Sequence, residues 1–336
     1  MEAHTPLLEN MSSSLGLDST EPVSPETPLL RERKHLALSN YETKTSNKRG
    51  RKLPHIIAHR GFKNKFPENT MGAFRGAIDA GSHAIETDLH LSKDGVVVIS
   101  HDATLKRCFG VDKRVIDCDW EYLSTLRTLE KPYDSMPRLS DLLEYLASPG
   151  LEDIWLLLDI KIDNDPETIM RRIAETAAAV APGRKPWSER IVLGCWSAKY
   201  LPLAREYLPD YPIALICIDL SYARQFLSIP NVSFNVNQKI LMGPLGRNFL
   251  EEARAANRLV FVWTVNKTSL MRWSIRKGVD GVITDDPAVF KAICDNWDGG
   301  GTDKDPITIR NTVQRWRNIK RSQSVSLSII ALFYRH

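Results

Sequence analysis

The sequence predicts an α/β fold of the (β/α)8 TIM-barrel type with one accessory β-hairpin strand. Three observations carry that expectation. Short apolar runs alternate with segments of helical period from Pro54 to about residue 296. Counted from Ile56, nine runs read as strands, and one is joined to its neighbour by a turn too short for a parallel crossover, which leaves eight. The alternative, a doubly wound open sheet, would place a glycine-rich phosphate loop after the first strand, and none stands there. At 336 residues, one barrel of about 250 with tails fits better than two independent domains. The expected organisation is a disordered region over 1–53, the barrel domain over 54–296, and a linker with a basic amphipathic membrane-binding tail over 297–336.

The elements follow in order. Residues 56–59 are a short apolar run ending in Arg-Gly, so they read as a buried strand with His59 at its exit. Asn69 or Thr70 caps a helix that carries Met71, Phe74, Ala77 and Ile78 on one face, and Gly81 stops it. Residues 84–91 form the next strand, and Glu86 and Asp88, two apart, share one of its faces. Lys93-Asp94-Gly95 is a turn, and 96–100 returns antiparallel. A turn centred near Asp94 pairs residues whose numbers sum to about 187 or 188, so His101 falls opposite Glu86 or Thr87.

The longer segment 103–133 reads as a lid, and 139–146 as a helix with Ser140 at its N-cap. Residues 155–161 form a strongly apolar strand ending in Asp159-Ile160-Lys161; the apolar run says buried, and the two charges converge on one interior point. Strands are expected at 191–195, 213–218, 233–236, 259–265 and 281–284. Helical patterns at 167–180, 197–207, 222–227, 247–256 and 268–277 separate most of them.

Barrel enzymes place their chemistry at the carboxyl ends of the strands, and His59, Asp159, Trp263 and Asp285 all sit at or near such ends. Taken singly, each has an ordinary reading: a lone histidine is commonly a surface or core residue, and a lone Glu-x-Asp a solvated strand face. Together they read differently, because two carboxylates inside an apolar βαβ stretch are costly to bury without a cation. Two histidines, His59 and His101, two carboxylates and Arg60 are the inventory for attacking a phosphodiester. A metal clamps the phosphate, one group removes a proton and another gives one to the leaving oxygen. Asp159 is the natural third ligand and Lys161 a phosphate contact. An all-oxygen set points to Mg²⁺ or Ca²⁺ rather than zinc. Trp263 reads as a wall of the substrate pocket.

Here the pattern becomes specific. His59-Arg60-Gly61, Pro67-Glu68-Asn69-Thr70, Glu86-x-Asp88, Asp94-Gly95 and His101-Asp102 with Thr104-Leu105-x-Arg107-x-x-Gly110 resemble the glycerophosphodiester phosphodiesterase family. The likeness continues through Trp263-Thr264-Val265-Asn266 and Gly281-Val282-Ile283-Thr284-Asp285-x-Pro287, so it covers about residues 55–296. Among eukaryotic members the chain is most similar to the fungal phosphatidylglycerol phospholipase C group, on overall length, the long polar N-terminus and the basic tail.

The resemblance implies His59, His101 and Arg60 as catalytic residues, with the acid and base roles of the two histidines left open. It implies Asn69, Lys161, Trp263 and Asp285 at the substrate, and Glu86, Asp88 and Asp159 around one divalent cation, Mg²⁺ or Ca²⁺. The family more often has glutamate where Asp159 stands. The implied activity is metal-dependent hydrolysis of glycerophospholipids, with phosphatidylglycerol giving diacylglycerol and glycerol 3-phosphate. The alternative is a soluble glycerophosphodiester phosphodiesterase releasing glycerol 3-phosphate and an alcohol. A non-catalytic lipid-binding or scaffold protein would show a missing histidine or ligand, and none is missing.

Charge and composition bound the partners. The formal net charge is +4 and apolar content is 43%, ordinary for a globular chain. The charge is uneven: Arg310, Arg315, Arg317, Lys320, Arg321 and Arg335 follow Asp305 with no further acid, so the barrel itself is slightly acidic. A nucleic-acid enzyme would carry its positive charge on the domain, so no nucleic-acid partner is expected.

The tails carry their own expectations. Residues 1–50 read as disordered, with Glu26-x-x-Leu29-Leu30 resembling a dileucine sorting signal, Ser24-Pro25 a phosphorylation site, and Lys48 to Lys52 a basic run for which a solvated linker is the simplest reading. From Ile307, apolar Ile309, Val313, Trp316 and Ile319 alternate with basic residues, and 325–334 is apolar but too short to span a bilayer. That composition predicts a peripheral anchor on an anionic membrane. Five scattered cysteines with no C-x-x-C, and an opening without an apolar core, place the protein facing the cytosol, on a mitochondrial, endoplasmic-reticulum or lipid-droplet surface, and not secreted.

Overall fold

The computed structural model describes residues 52–298. The readings made for the disordered region, the sorting and basic motifs, the glycine linker and the basic tail lie outside those residues, save for a few positions at either boundary.

Nine strands stand among the described residues: β1 (His55–His59), β2 (Ala84–Leu91), β3 (Val97–Ile99), β4 (Trp155–Ile160), β5 (Ile191–Cys195), β6 (Ile213–Cys217), β7 (Val232–Asn237), β8 (Val260–Trp263) and β9 (Gly281–Thr284). Eight are parallel and run β1-β2-β4-β5-β6-β7-β8-β9, and β1 pairs with both β2 and β9, which closes the barrel. β3 lies outside it, antiparallel to β2. The fold is the (β/α)8 barrel, and the accessory strand is the second half of the expected hairpin. Its register pairs Leu89 with Ile99 and Leu91 with Val97, so the paired numbers sum to 188, one of the two values expected from the turn.

Alternation along each strand divides the core in two. Ile57, Ala84, Trp155, Leu157, Val192, Ala214, Leu259, Phe261 and Ile283 fill the barrel interior. The opposite faces pack on the helices through residues such as Phe74, Leu142, Ile169, Phe234, Phe249 and Phe290. The glycine at 281 is required by this packing. A Cβ there would stand 2.6 Å from Ile57 Cδ1 and 2.8 Å from Phe261 Cδ1.

Local rules account for the element ends. Thr70 is the N-cap of the helix Met71–Asp79, its hydroxyl accepting from Ala73 N at 3.2 Å. The helix Leu139–Leu146 corrects the expected cap: Ser140 lies inside it and Arg138 is the N-cap, its backbone N–H donating to Asp141 Oδ2 at 2.8 Å. A carboxylate at the third helical position does there what the serine was expected to do.

The lid segment holds two short helices, Lys106–Phe109 and Trp120–Thr125. It has its own small core of Val98, Leu105, Val115, Cys118, Leu123 and Met136. It is a packed cap seated on β3 rather than a loose flap. No helix among the described residues is long and apolar enough to cross a membrane.

Candidate active site

The interior alternation that fills the barrel with apolar side chains brings polar ones to its carboxyl-terminal mouth. Continuing inward positions two residues at a time gives His59 from β1, Glu86 and Asp88 from β2, Asp159 and then Lys161 from β4, and Asp285 just past β9. Parallel register sets them side by side: His59 pairs with Glu86, and Asp88 with Asp159.

Glu86, Asp88 and Asp159 are all buried, and one carboxylate oxygen from each lies within 4.8 Å of the others. Buried carboxylates at this spacing repel, and the protein's own cations offset only part of it. Lys161 Nζ stands 2.6 Å from Asp88 Oδ1 and 2.7 Å from Asp159 Oδ2. Arg60 Nε lies 3.4 Å from Asp88 Oδ2, and Arg60 N donates to Glu86 Oε2 at 3.0 Å. Burial pushes the Glu86 carboxyl well above the ordinary carboxylate range, and the charges of Asp88 and Asp159 push the same way. At Asp88 burial also opposes ionisation, but Lys161 and Arg60 overcome it and hold the group well below its usual value. The unrelieved charge on Glu86 and the all-oxygen donor set fit a hard divalent cation held by these three residues.

Each histidine is oriented by a carboxylate. His59 Nδ1 lies 2.5 Å from Asp285 Oδ1, and Asp285 Oδ2 accepts from Asn266 Nδ2 at 2.7 Å. His101 Nδ1 lies 2.7 Å from Asp102 Oδ1. The remaining nitrogen of each ring is thereby left for substrate. Burial lowers the proton affinity of His59, and Arg60 adds to the effect against Asp285. Burial, then Lys161, pulls His101 down to about 4, although Asp88 and Asp102 resist. Burial resists the ionisation of Asp285, yet the bond from His59 brings it down to about 2.

A chain of ion pairs ties the two sides of the mouth together. Glu68 accepts from Arg60 Nη1 at 2.9 Å and from Arg107 Nη2 at 2.7 Å. Arg107 Nε then donates to Asp102 Oδ2 at 2.7 Å. The cap segment thus reaches the centre through Arg107, a residue of the Thr104 to Gly110 motif to which the sequence alone assigns no role.

The structure brings nine of the ten expected site residues to the charged side of the mouth, with Trp263 on the wall across from it. Two of the nine make bonds within the protein that the sequence does not predict. Asn69 was assigned to the substrate, but both ends of its amide are engaged within the protein, Nδ2 with Asp88 Oδ2 at 2.8 Å and Oδ1 with Thr87 Oγ1 at 2.9 Å. Asp285, also expected at the substrate, bonds to His59 through Oδ1. Trp196 was missed. Its Nε1 donates to Asp159 Oδ1 at 2.8 Å, and its ring meets Trp263 edge-on at 5.9 Å. The one sequence signal for it is position, one residue past β5 on the inward alternation.

Comparison with known proteins gives a consistent picture. The profile of the glycerophosphoryl diester phosphodiesterase family matches residues 59–289. A glycerophosphodiester phosphodiesterase of Caldanaerobacter subterraneus is 27% identical over 241 residues, covering 69% of this chain and 94% of the relative. A lysophospholipase D of Mus musculus is 25% identical over 289 residues, covering 74% and 89%. An Oleispira antarctica phosphodiesterase, solved with the product sn-glycerol-3-phosphate, superposes with a TM-score of 0.64 at 22% identity, covering 73% of this chain and 98% of that one.

Proposed function

Since the chain belongs to the glycerophosphoryl diester phosphodiesterase family, and is thus a phosphoric diester hydrolase, we propose that it acts on glycerophospholipids carrying a glycerol headgroup. Phosphatidylglycerol is the substrate that best fits this reading, cleaved to diacylglycerol and glycerol 3-phosphate. The observation that carries the phosphodiester chemistry, common to this substrate and to deacylated diesters, is the convergence of Glu86, Asp88 and Asp159 beside two carboxylate-oriented histidines.

A divalent cation, Mg²⁺ or Ca²⁺, held by those three carboxylates would draw charge from the phosphate oxygens. Arg60 and Lys161 neutralise the charge that builds on the phosphate during attack. One of His59 and His101 accepts the proton of the headgroup hydroxyl next to the phosphate ester. That oxygen bonds to phosphorus, closing a five-membered ring, while the bond to the diacylglycerol oxygen breaks. The other histidine gives its proton to the departing oxygen. Proximity within one substrate favours the ring closure. Water then opens the cyclic phosphate with the two histidines in reversed roles. Trp263 walls the pocket.

Attachment to an anionic membrane through the basic, apolar tail sequence, on a cytosol-facing surface, completes this reading. The tail composition from Ile307 supports it, with 54–296 as the catalytic domain. The second reading, hydrolysis of deacylated glycerophosphodiesters, is favoured by the name of the Caldanaerobacter relative. Mass spectrometry of mixed lipids and glycerophosphodiesters incubated with protein and metal decides between them. Diacylglycerol with glycerol phosphate supports the first; cleavage confined to deacylated diesters refutes it.

A further inference from the structure

The inward positions at the mouth divide into two halves of opposite character. β9, β1, β2 and β4 supply Asp285, His59, Glu86 with Asp88, and Asp159 with Lys161. β5 to β8 supply Trp196, Ile216 with Ile218, Asn235 with Asn237, and Trp263, and none of these is charged. Strand order around the barrel places each set as a continuous arc.

The direction of the residue one place past a strand is fixed by a bond in three cases: Lys161 to Asp88, Trp196 to Asp159, and Asp285 to His59. Ile218 holds the same place after β6. It is 49% exposed, an apolar side chain left open at the edge of a polar site. Below it Ile216 leans over bare backbone: a Cβ on Gly194 would stand 3.0 Å from Ile216 Cδ1 and 3.4 Å from Asp159 Cα. The glycine thus lets an isoleucine methyl sit close to the third acidic residue.

A second observation points to a ligand. Asn235 is 4% exposed, and its Oδ1 is buried without a hydrogen-bond partner. It belongs to the same arc, and Trp263 Nε1 donates to its backbone oxygen at 3.0 Å. A buried acceptor without a donor is costly unless something supplies the donor, and a substrate hydroxyl would.

We propose that the β5–β8 half of the mouth is the subsite for the acyl-bearing part of a glycerophosphodiester lipid. The chain lies against Trp196, Ile218 and Trp263, with buried Ile216 beneath them, and the Asn235 carboxamide accepts from a hydroxyl of the same substrate. The assignment rests on the hydrolase reading above and adds to it the location and chemistry of substrate selection. With phosphorus held among the carboxylates, Arg60 and the histidines, one arm of the diester must leave across the uncharged arc. A deacylated arm would leave Ile218 in water; an acyl chain covers it.

The test uses the full chain with Mg²⁺ and a series of monoacyl glycerophosphodiesters of increasing chain length, kept below aggregation, beside the deacylated diester. Diacyl lipid in mixed micelles is a further arm. For wild type, kcat/KM should rise about three- to fourfold for each methylene that reaches the wall, and then level off. Ile218→Glu should lower the ratio of kcat/KM on acylated to deacylated substrate by about tenfold or more. Ile218→Ser should do so to a lesser degree, and serves if the glutamate variant melts early. A gain confined to monoacyl monomers identifies a lysolipid; a gain extending to micelles identifies a diacyl lipid; both support the subsite. Cleavage of the deacylated diester with no dependence on chain length, or a ratio unmoved in folded Ile218 variants, overturns the subsite alone. A wild type that cleaves none of these substrates overturns the hydrolase reading, and the subsite with it.

Discussion

His59 Nδ1 and Asp285 Oδ1 stand 2.5 Å apart although 226 residues separate them in the chain. The bond joins β1 to the end of β9, the two strands whose pairing closes the barrel. It fixes the tautomer of a histidine that burial already keeps short of protons. Asp285→Asn should therefore lower kcat by a factor on the order of 10² to 10⁴, with KM little changed and the fold intact by circular dichroism. A loss seen mainly in KM would restore Asp285 to the substrate.

Replacing either histidine should cost a similar factor. His59→Ala and His101→Ala should each lower kcat on the order of 10² to 10⁴, and chelation should abolish turnover. Full activity in steady-state assays after any of these changes would remove the proposed chemistry.

Burial and two neighbouring carboxylates raise Glu86 well above the ordinary range, so in the metal-free protein its charge opposes folding at neutral pH. Glu86→Gln should then abolish hydrolysis while raising the Tm of the metal-free protein. The scale is about 2–4 °C per kcal/mol for a domain of this size. Added Mg²⁺ or Ca²⁺ should raise Tm in wild type and much less in the variant. Differential scanning calorimetry reads both.

The pH dependence follows from His101, held down to about 4 against 6.5 in an unfolded chain. Between those values the unfolded chain binds the extra proton. The His101 contribution to stability is therefore full above 6.5 and is lost as pH falls towards 4, roughly 3 kcal/mol in all. With His101 as the proton acceptor, activity should persist to pH 6 and decline only below about 5. An acid limb of kcat/KM centred at 6.5 would contradict the buried, lysine-facing environment.

Arg107 is half exposed yet makes contacts with both Glu68 and Asp102. Arg107→Ala should lower kcat by about tenfold, by loosening the carboxylate that orients His101. Arg107→Lys should recover little, because a single ammonium cannot reproduce the fork. Tm should move by only a few degrees.

What the sequence made legible depended on short range. The Lys93-Asp94-Gly95 turn set the hairpin register, and period-two spacing set Glu86 with Asp88 and Asp159 with Lys161, so the acidic cluster followed from alternation. The partners of those groups were less visible, since they meet only through closure of the barrel. Nothing near Asp285 names His59, and Trp196 is one tryptophan among eight. Arg107 and Asp102 are five residues apart, but their joint hold on Glu68 needs the folded cap. Ser140 misled because an N-cap serine is common, while the Asp141 carboxylate had the better reach.

The uneven mouth also has a consequence for how such enzymes diversify. Reactive groups come from the N-terminal part of the barrel and uncharged lining from the part that follows, with Asp285 alone reaching back. A half-barrel exchange that imports β5 to β8 from a relative, while retaining β9, Trp196 and Asn266, would therefore transplant selectivity and keep the bonds that hold Asp159 and Asp285. The chain's order of synthesis already separates the two jobs, so each is free to drift at its own pace.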